Sequence, residues 1–255
     1  MKIKYIPFTN SGLARKENED SIYAYKRDNC AVFIVADGMG GCENGKTASD
    51  TIVRHIAKYI EIDMDKTVDA KKQFDKVYDS SVFFSDLKNQ LLNANKDIFS
   101  NYTAKGHSSG STLIMIAIYD NFYNIFWAGD SHIYQVIDKE LVALTVDDVW
   151  ENDKKRIEGL TIDQVKKNPN YGRLTNAFGT IENVNIHTMN GILEKGMKFL
   201  LCSDGVYKYL DKKILTNLVL DDKTDKKELC KSIKDEVYKN GAFDNLSFIY
   251  VEIEE

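Results

Sequence analysis

Five acidic positions in this chain stand where an apolar run begins or ends. AVFIVA runs into Asp37-Gly38, NIFWAG into Asp130-Ser131, and KFLLCS into Asp204-Gly205. Asp244-Asn245 leads into LSFIYVEI, and Asn18-Glu19-Asp20 leads into SIYAY. One aspartate in such a place is an ordinary turn residue. Five carry more information. If the runs are strands stacked in one core, their ends gather on one rim, and carboxylates packed together raise one another's pKa. A multivalent cation relieves that repulsion. Ligands that are all oxygen select a hard ion such as Mg²⁺ or Mn²⁺ over zinc. Gly38 has no Cβ, so its backbone carbonyl could approach such an ion closely.

A different chemistry overlaps the first of these sites. Gly40, Gly45, Lys46 and Thr47 fit G-x-x-x-x-G-K-[ST], the loop that wraps nucleotide phosphates. In that loop the first glycine follows its strand almost directly, within a parallel sheet. Here Asp37-Gly38 intervenes. Zinc needs clustered Cys and His. The four histidines, His55, His107, His132 and His187, are spread along the chain, and the four cysteines form no C-x-x-C pair. Reduced thiols in a reducing, cytoplasmic compartment are expected.

The acids need a scaffold of some size. The chain has 255 residues, 43% hydrophobic and 11% aromatic, enough for a sizeable core. The formal net charge of -5 gives no basic footprint for nucleic acid. No apolar stretch approaches the roughly 20 residues of a membrane span, and MKIKYIPFTNSG has no apolar core for a secretion signal. Two prolines, no repeat and no flexible linker point to a single domain over residues 1–255.

Strands are expected at Ala31–Ala36, Thr112–Ile118, Tyr123–Ala128, Ile133–Ile137, Lys198–Ser203 and Leu246–Glu252, all rich in β-formers. Asp120-Asn121 and Gly129-Asp130 read as the turns of an antiparallel meander over 112–137. Helical spacing marks 46–61, and 85–99 with Ser85 as N-cap. A charged, exposed connection separates them at 62–80. Residues 224–239 read as a late helix, and Thr161 to Lys167 as a short one stopping before Pro169. The latter lies in a polar surface excursion, 146–172. Antiparallel strands mixed with helices argue α+β.

With the elements placed, the chain resembles a known family, the metal-dependent protein serine/threonine phosphatases of the PPM (PP2C) type, especially bacterial members. Eight motifs carry the likeness in order. They are G-x-x-R-x-x-NED (Gly12 to Asp20), VADGMGG (Val35 to Gly41), GST (Gly110 to Thr112), AGDS (Ala128 to Ser131), LT-x-D (Leu144 to Asp147), NPNYGRLTNAFG (Asn168 to Gly179), LLCSDGV (Leu200 to Val206) and DNLS (Asp244 to Ser247). The resemblance implies a four-layer αββα sandwich of two antiparallel sheets, with 146–172 as a flap beside the active site. It implies two divalent ions, Mn²⁺ or Mg²⁺, activating water against phosphoserine and phosphothreonine in proteins. Asp37 would bridge the ions. Asp204 and Asp244 would complete one shell, and the Gly38 carbonyl the other, with Asp20 holding waters and Glu19 nearby. Arg15 would bind phosphate, and Asp130 would hold a possible third ion. An opposing Ser/Thr protein kinase is the expected partner. Met39 stands where some relatives carry a histidine. Three further positions depart from the family: His132 for arginine, Asp148 for histidine, and Lys208 where some relatives carry an acid for the third ion. They leave open the alternative of a pseudophosphatase that only binds a phosphoprotein.

Overall fold

A computed structural model describes residues 2–39, 44–64, 79–221 and 226–254 of the protein. Among the described residues, ten strands form two five-stranded sheets in which all the pairings are antiparallel. The first joins β1 (Ile3–Asn10), β10 (Leu246–Ile253), β9 (Lys198–Cys202), β6 (His132–Ile137) and β7 (Glu140–Ala143), in that order. The second joins β2 (Ser21–Arg27), β3 (Cys30–Ala36), β4 (Leu113–Tyr119), β5 (Phe122–Ala128) and β8 (His187–Ile192).

The layering follows from alternation along the central strands. In β3, Ala31, Phe33 and Val35 face the other sheet, where they meet Phe199, Leu201, Ile249 and Val251. Val32, Ile34 and Ala36 point the opposite way, towards α1 (Gly45–Lys58) and α2 (Ser80–Asn101). In β9 and β10, Leu200, Cys202, Phe248 and Tyr250 turn outward onto α6 (Lys212–Leu220) and α7 (Lys226–Lys239). Three apolar layers therefore separate four layers of secondary structure, the αββα sandwich. A strand covered on both faces has no polar face, which is why β3 is buried along its whole length.

The helices obey their sequence signals with shifted ends. In α1, Ala48, Ile52 and Ile56 lie four apart and are fully buried, and a π-helical turn, Tyr59–Asp63, continues the helix. The α2 cap is Asp79, whose carboxylate accepts from the N–H groups of Ser81 and Val82. Ser85, expected as the cap, lies inside the helix, because Phe83 and Phe84 extend the apolar face one turn earlier. Most of the connection expected at 62–80, together with Gly40, Gly41, Cys42 and residues 224–225, falls outside the described residues. Cys30, Cys202 and Cys230 are free thiols. Among the described residues no helix is long and apolar enough to cross a membrane.

One expected connection is corrected. β4 and β5 form a hairpin, but β5 does not pair with β6. Gly129, at φ 103°, turns the chain out of one sheet and into the other, where β6 pairs with β7 and β9.

The excursion at 146–172 carries two short helices, α3 (Lys154–Ile157) and α4 (Ile162–Lys166). Thr161 caps α4 through a reciprocal box with Gln164. The neck is stitched by Trp150 N–H to the Arg173 carbonyl at 2.9 Å and Thr175 N–H to the Asp148 carbonyl at 2.8 Å. α5 (Asp204–Tyr207) follows directly on β9.

Candidate functional site

Four of the five acidic positions foreseen at one rim line a common cleft, and the fifth, Asp20, is buried and outside its lining. Asp37 follows β3, Asp204 follows β9, Asp244 precedes β10, and Asp130 lies on the crossing between sheets. All four line one cleft of about 380 Å³, with Arg15, Lys208, and the flap-neck residue Arg173. A larger groove between α1 and α2, about 680 Å³, is lined by Arg54, Lys58 and Lys96 with Asp97, and lacks this convergence of acids. Chemistry, not size, marks the site.

The acids feel one another. Asp37 is held well above the usual carboxylate range, first by burial, then by the fields of Asp20, Asp204 and Asp130 and a hydrogen bond with Asp204. Asp20 is 2% exposed and is pushed up to about 6 by burial, against the pull of hydrogen bonds from Ser247 and Ser203. Asp130 is raised by burial and Asp204, partly offset by Lys208. Glu19 is raised by burial, with Arg15 opposing.

Backbone contacts fix this arrangement. Asp37 N–H donates to Thr112 Oγ1 at 3.1 Å, and its carbonyl accepts from Thr112 N–H at 2.8 Å and from Ser111 Oγ at 3.0 Å. Asn245 Oδ1 accepts from Glu19 N–H at 2.9 Å, while its Nδ2 donates to the carbonyls of Ser11 and Glu17. That one side chain ties the Arg15-bearing loop to the start of β10. A Cβ on Gly38 would lie 2.6 Å from the Glu19 carbonyl oxygen and from Gly45 backbone atoms. Glycine is thus required there by chain packing, whatever its carbonyl binds.

Two cations occupy parts of the acid set. Arg15 grips Asp244 with a fork, Nε to Oδ1 and Nη2 to Oδ2, both 2.9 Å. That bond, ahead of the opposing effect of burial, raises the arginine pKa. Lys208 Nζ lies 2.7 Å from Asp204 Oδ2 and 3.4 Å from Asp130 Oδ2. Burial lowers its pKa, but the two aspartates outweigh burial and hold the ammonium charged.

The site carries features that fit a divalent ion. Asp20 Oδ1 is buried without a hydrogen-bond partner, while Oδ2 accepts from Ser203 Oγ at 3.0 Å. An orphaned buried carboxylate oxygen beside a carboxyl of sharply raised pKa is an electrostatic deficit that positive charge relieves. The donors are all oxygens. As they stand, no three His, Cys, Asp or Glu side chains among the described residues close round a single point. Arg15 and Lys208 hold Asp244 and Asp204 instead.

The departures have structural partners. His132 bonds the Tyr134 hydroxyl at 2.6 Å and Asp147 at 2.7 Å, and stacks on Tyr207 at 3.9 Å. Asp148 accepts from Gly129 N–H, Asn176 Nδ2 and His187 Nε2, clasping the sheet crossing to the flap neck. Lys46 donates to the Asp20 carbonyl at 2.8 Å and pairs with Asp50 at 3.1 Å, so it stitches α1 to β2 within an antiparallel sheet. That is not a nucleotide cradle.

Thr112, Ser203, Asn245 and Arg173 were not singled out from the sequence. Each lies within one of the eight quoted motifs, but its role needs the fold. The sequence profile of the family Protein phosphatase 2C matches residues 14–226. The serine/threonine phosphatase Stp of Listeria monocytogenes serotype 4b is 26% identical over 257 residues, covering 96% of this chain and 93% of the relative. Among solved structures, serine/threonine phosphatase Stp1 from Staphylococcus aureus superposes with a TM-score of 0.82 at 21% identity, covering 100% of this chain and 96% of that one. The catalytic domain of the phosphatase PstP, solved in complex with 2 manganese ions, gives 0.77 at 22% identity and covers 99% of each chain. An αββα sandwich with an acid-lined cleft at its rim, matched by that profile over most of its length, places the chain in the protein phosphatase 2C family.

Proposed function

We propose that this protein phosphatase hydrolyses phosphoserine and phosphothreonine esters of proteins in a reaction dependent on two divalent ions, Mn²⁺ or Mg²⁺. The observation that carries the reading is the half-buried Asp37 carboxyl at the cleft, lifted by Asp20, Asp204 and Asp130 at once. Asp37, Asp20, Asp204, Asp244 and the Gly38 carbonyl are the proposed ligands, with Glu19 close by; Asp130, the residue expected to hold a third ion, is paired with Lys208 instead. Ions held there would supply positive charge for the phosphate and lower the pKa of a water molecule, so that hydroxide is available as the nucleophile.

The chain's own groups do the rest. Arg15 is held at the cleft wall by Asp244, with donors of its fork left to bind phosphate oxygens. The Thr112 hydroxyl is tied to Asp37 N–H and Ser131 Oγ, so it is a brace and not a nucleophile. The water oxygen would form the new P–O bond and lose a proton while the bond to the Ser or Thr oxygen breaks and that oxygen takes a proton from solvent, giving inorganic phosphate and a free hydroxyl with no phosphoenzyme. With Met39 in the cleft, no imidazole at that position protonates the leaving oxygen. Residues 1–255 act as one cytoplasmic catalytic unit. The flap at 146–172 influences substrate choice, and an opposing Ser/Thr kinase supplies the phosphoproteins.

The ion pairs of Lys208 and Arg15 favour one second reading: a pseudophosphatase that binds phosphoproteins without turnover. Phosphate release from a phosphothreonine peptide separates the two. Release that needs Mn²⁺, stops with chelator and falls about 10³-fold in Asp37→Asn supports hydrolysis. Binding of the peptide without release at any Mn²⁺ concentration supports the alternative, and full turnover by Asp37→Asn rules out Asp37 as the central ligand.

A further inference from the structure

Lys208 comes one helical turn after Asp204, which brings its ammonium back over that carboxylate. It also reaches Asp130, which lies elsewhere in the chain, on the crossing between the two sheets. Tyr207, next along the chain, donates its hydroxyl to the Asp130 backbone carbonyl at 2.9 Å, so the two segments are locked in register. Asp130 and Asp204 side chains are 12% and 20% exposed. Two largely buried carboxylates side by side require a counter-charge.

We propose that Lys208 is that counter-charge: a tethered cation that fills the corner between Asp130 and Asp204, so the centre takes two divalent ions and not a third. The inference rests on the metal-dependent reading above. A tethered ammonium has already lost its translational freedom, so it acts at a high effective concentration. A free ion entering this corner must displace it and also shed water.

The test counts ions and does not depend on turnover. Free Mn²⁺ is followed by its paramagnetic resonance signal as the purified protein is titrated, giving bound ions per chain. The wild type is expected to saturate at two. Lys208→Met, which keeps the stem and removes the charge, and Lys208→Asp, which adds a carboxylate, are each expected to take up a third. Either variant doing so upholds the proposal if the other fails to fold. A wild type that binds three ions overturns it and leaves the metal-dependent reading intact. Fewer than two in the wild type overturns both. Two in the wild type and two in both folded variants shows that Lys208 does not exclude an ion, and the proposal falls.

Discussion

Asp20 is an acid that folding would be easier without. Its side chain is buried, one oxygen has no partner, and its pKa is raised from 3.8 to about 6. Burial is the main cause, and the serines at 203 and 247 reduce the effect without cancelling it. The sign is set by linkage. A carboxyl whose folded pKa lies above its unfolded value binds its proton more tightly when folded. Its stabilising contribution is complete below the unfolded pKa and is lost as pH rises through the folded pKa. From 3.8 to about 6, the loss amounts to about 3 kcal/mol between pH 3.5 and pH 7. Asparagine cannot ionise, and its amide oxygen can still accept from Ser203. Asp20→Asn should therefore be about 2–3 kcal/mol more stable than wild type at pH 8 in chelator, and nearly equal to it at pH 4. Urea unfolding at both pH values measures this directly. Asp37 titrates in both proteins, but Asp20 is one of the charges that raise its pKa, so the difference reports Asp20 together with the relief it gives Asp37. In excess Mn²⁺ the order should reverse, because ions that bind the folded wild type more tightly than the folded variant stabilise the wild type more by mass action. A variant less stable than wild type in chelator at pH 8, or an unchanged pH profile, would refute this reasoning.

Asp148→Ala removes the acceptor of Gly129 N–H, Asn176 Nδ2 and His187 Nε2, leaving half-buried donors behind. The expected cost is about 2–4 kcal/mol, a fall of roughly 4–16 °C in calorimetry; a fall below about 1 °C would mean that the clasp does not hold the flap neck. Gly38→Ala pushes a methyl group to 2.6 Å from the Glu19 carbonyl, and should weaken Mn²⁺-dependent phosphate release at least about tenfold. An alanine enzyme with ordinary rate and Mn²⁺ requirement would show that the loops can part without disturbing the acids.

The sequence showed the interior strands and hid the edges, for a physical reason. β3, β4, β9 and β10 are covered on both faces, so each writes an apolar run. β1, β7 and β8, which had no such run, are edge strands of the two sheets. β1 even contains Pro7, tolerable where a strand has one unpaired side. The false meander came from the same limitation. Gly129-Asp130 is good turn chemistry for a hairpin and equally good for a sheet crossing. What distinguishes them is that β6 pairs with β9, some 65 residues later, and no local signal carries that. The acids were legible because each sits beside an apolar run. Their neutralising partners were less so. Lys208 is visible at the i+4 position from Asp204, but its second contact, Asp130, depends on how the sheets pack. Asn245 looks like a turn residue until the loop at 11–19 folds across it.

The site owes its charge density to the core beneath it. Asp37 and Asp204 terminate strands of different sheets, and those strands are pressed together by Phe33 and Val35 against Phe199, Leu201 and Ile249. Side chains from this close-packed layer hardly yield, so the acids at its end cannot move apart to relieve their repulsion. Raised pKa values at Asp20, Asp37 and Asp130 are the measure of that confinement. The cations are placed differently. Arg15 arrives on a loop held by Asn245, and Lys208 lies at the end of a single helical turn, half exposed to solvent. Acids fixed by the core and counter-charges carried on long, partly exposed side chains divide the work: the strands set how much positive charge the centre needs, and Lys208 and Arg15 supply part of it.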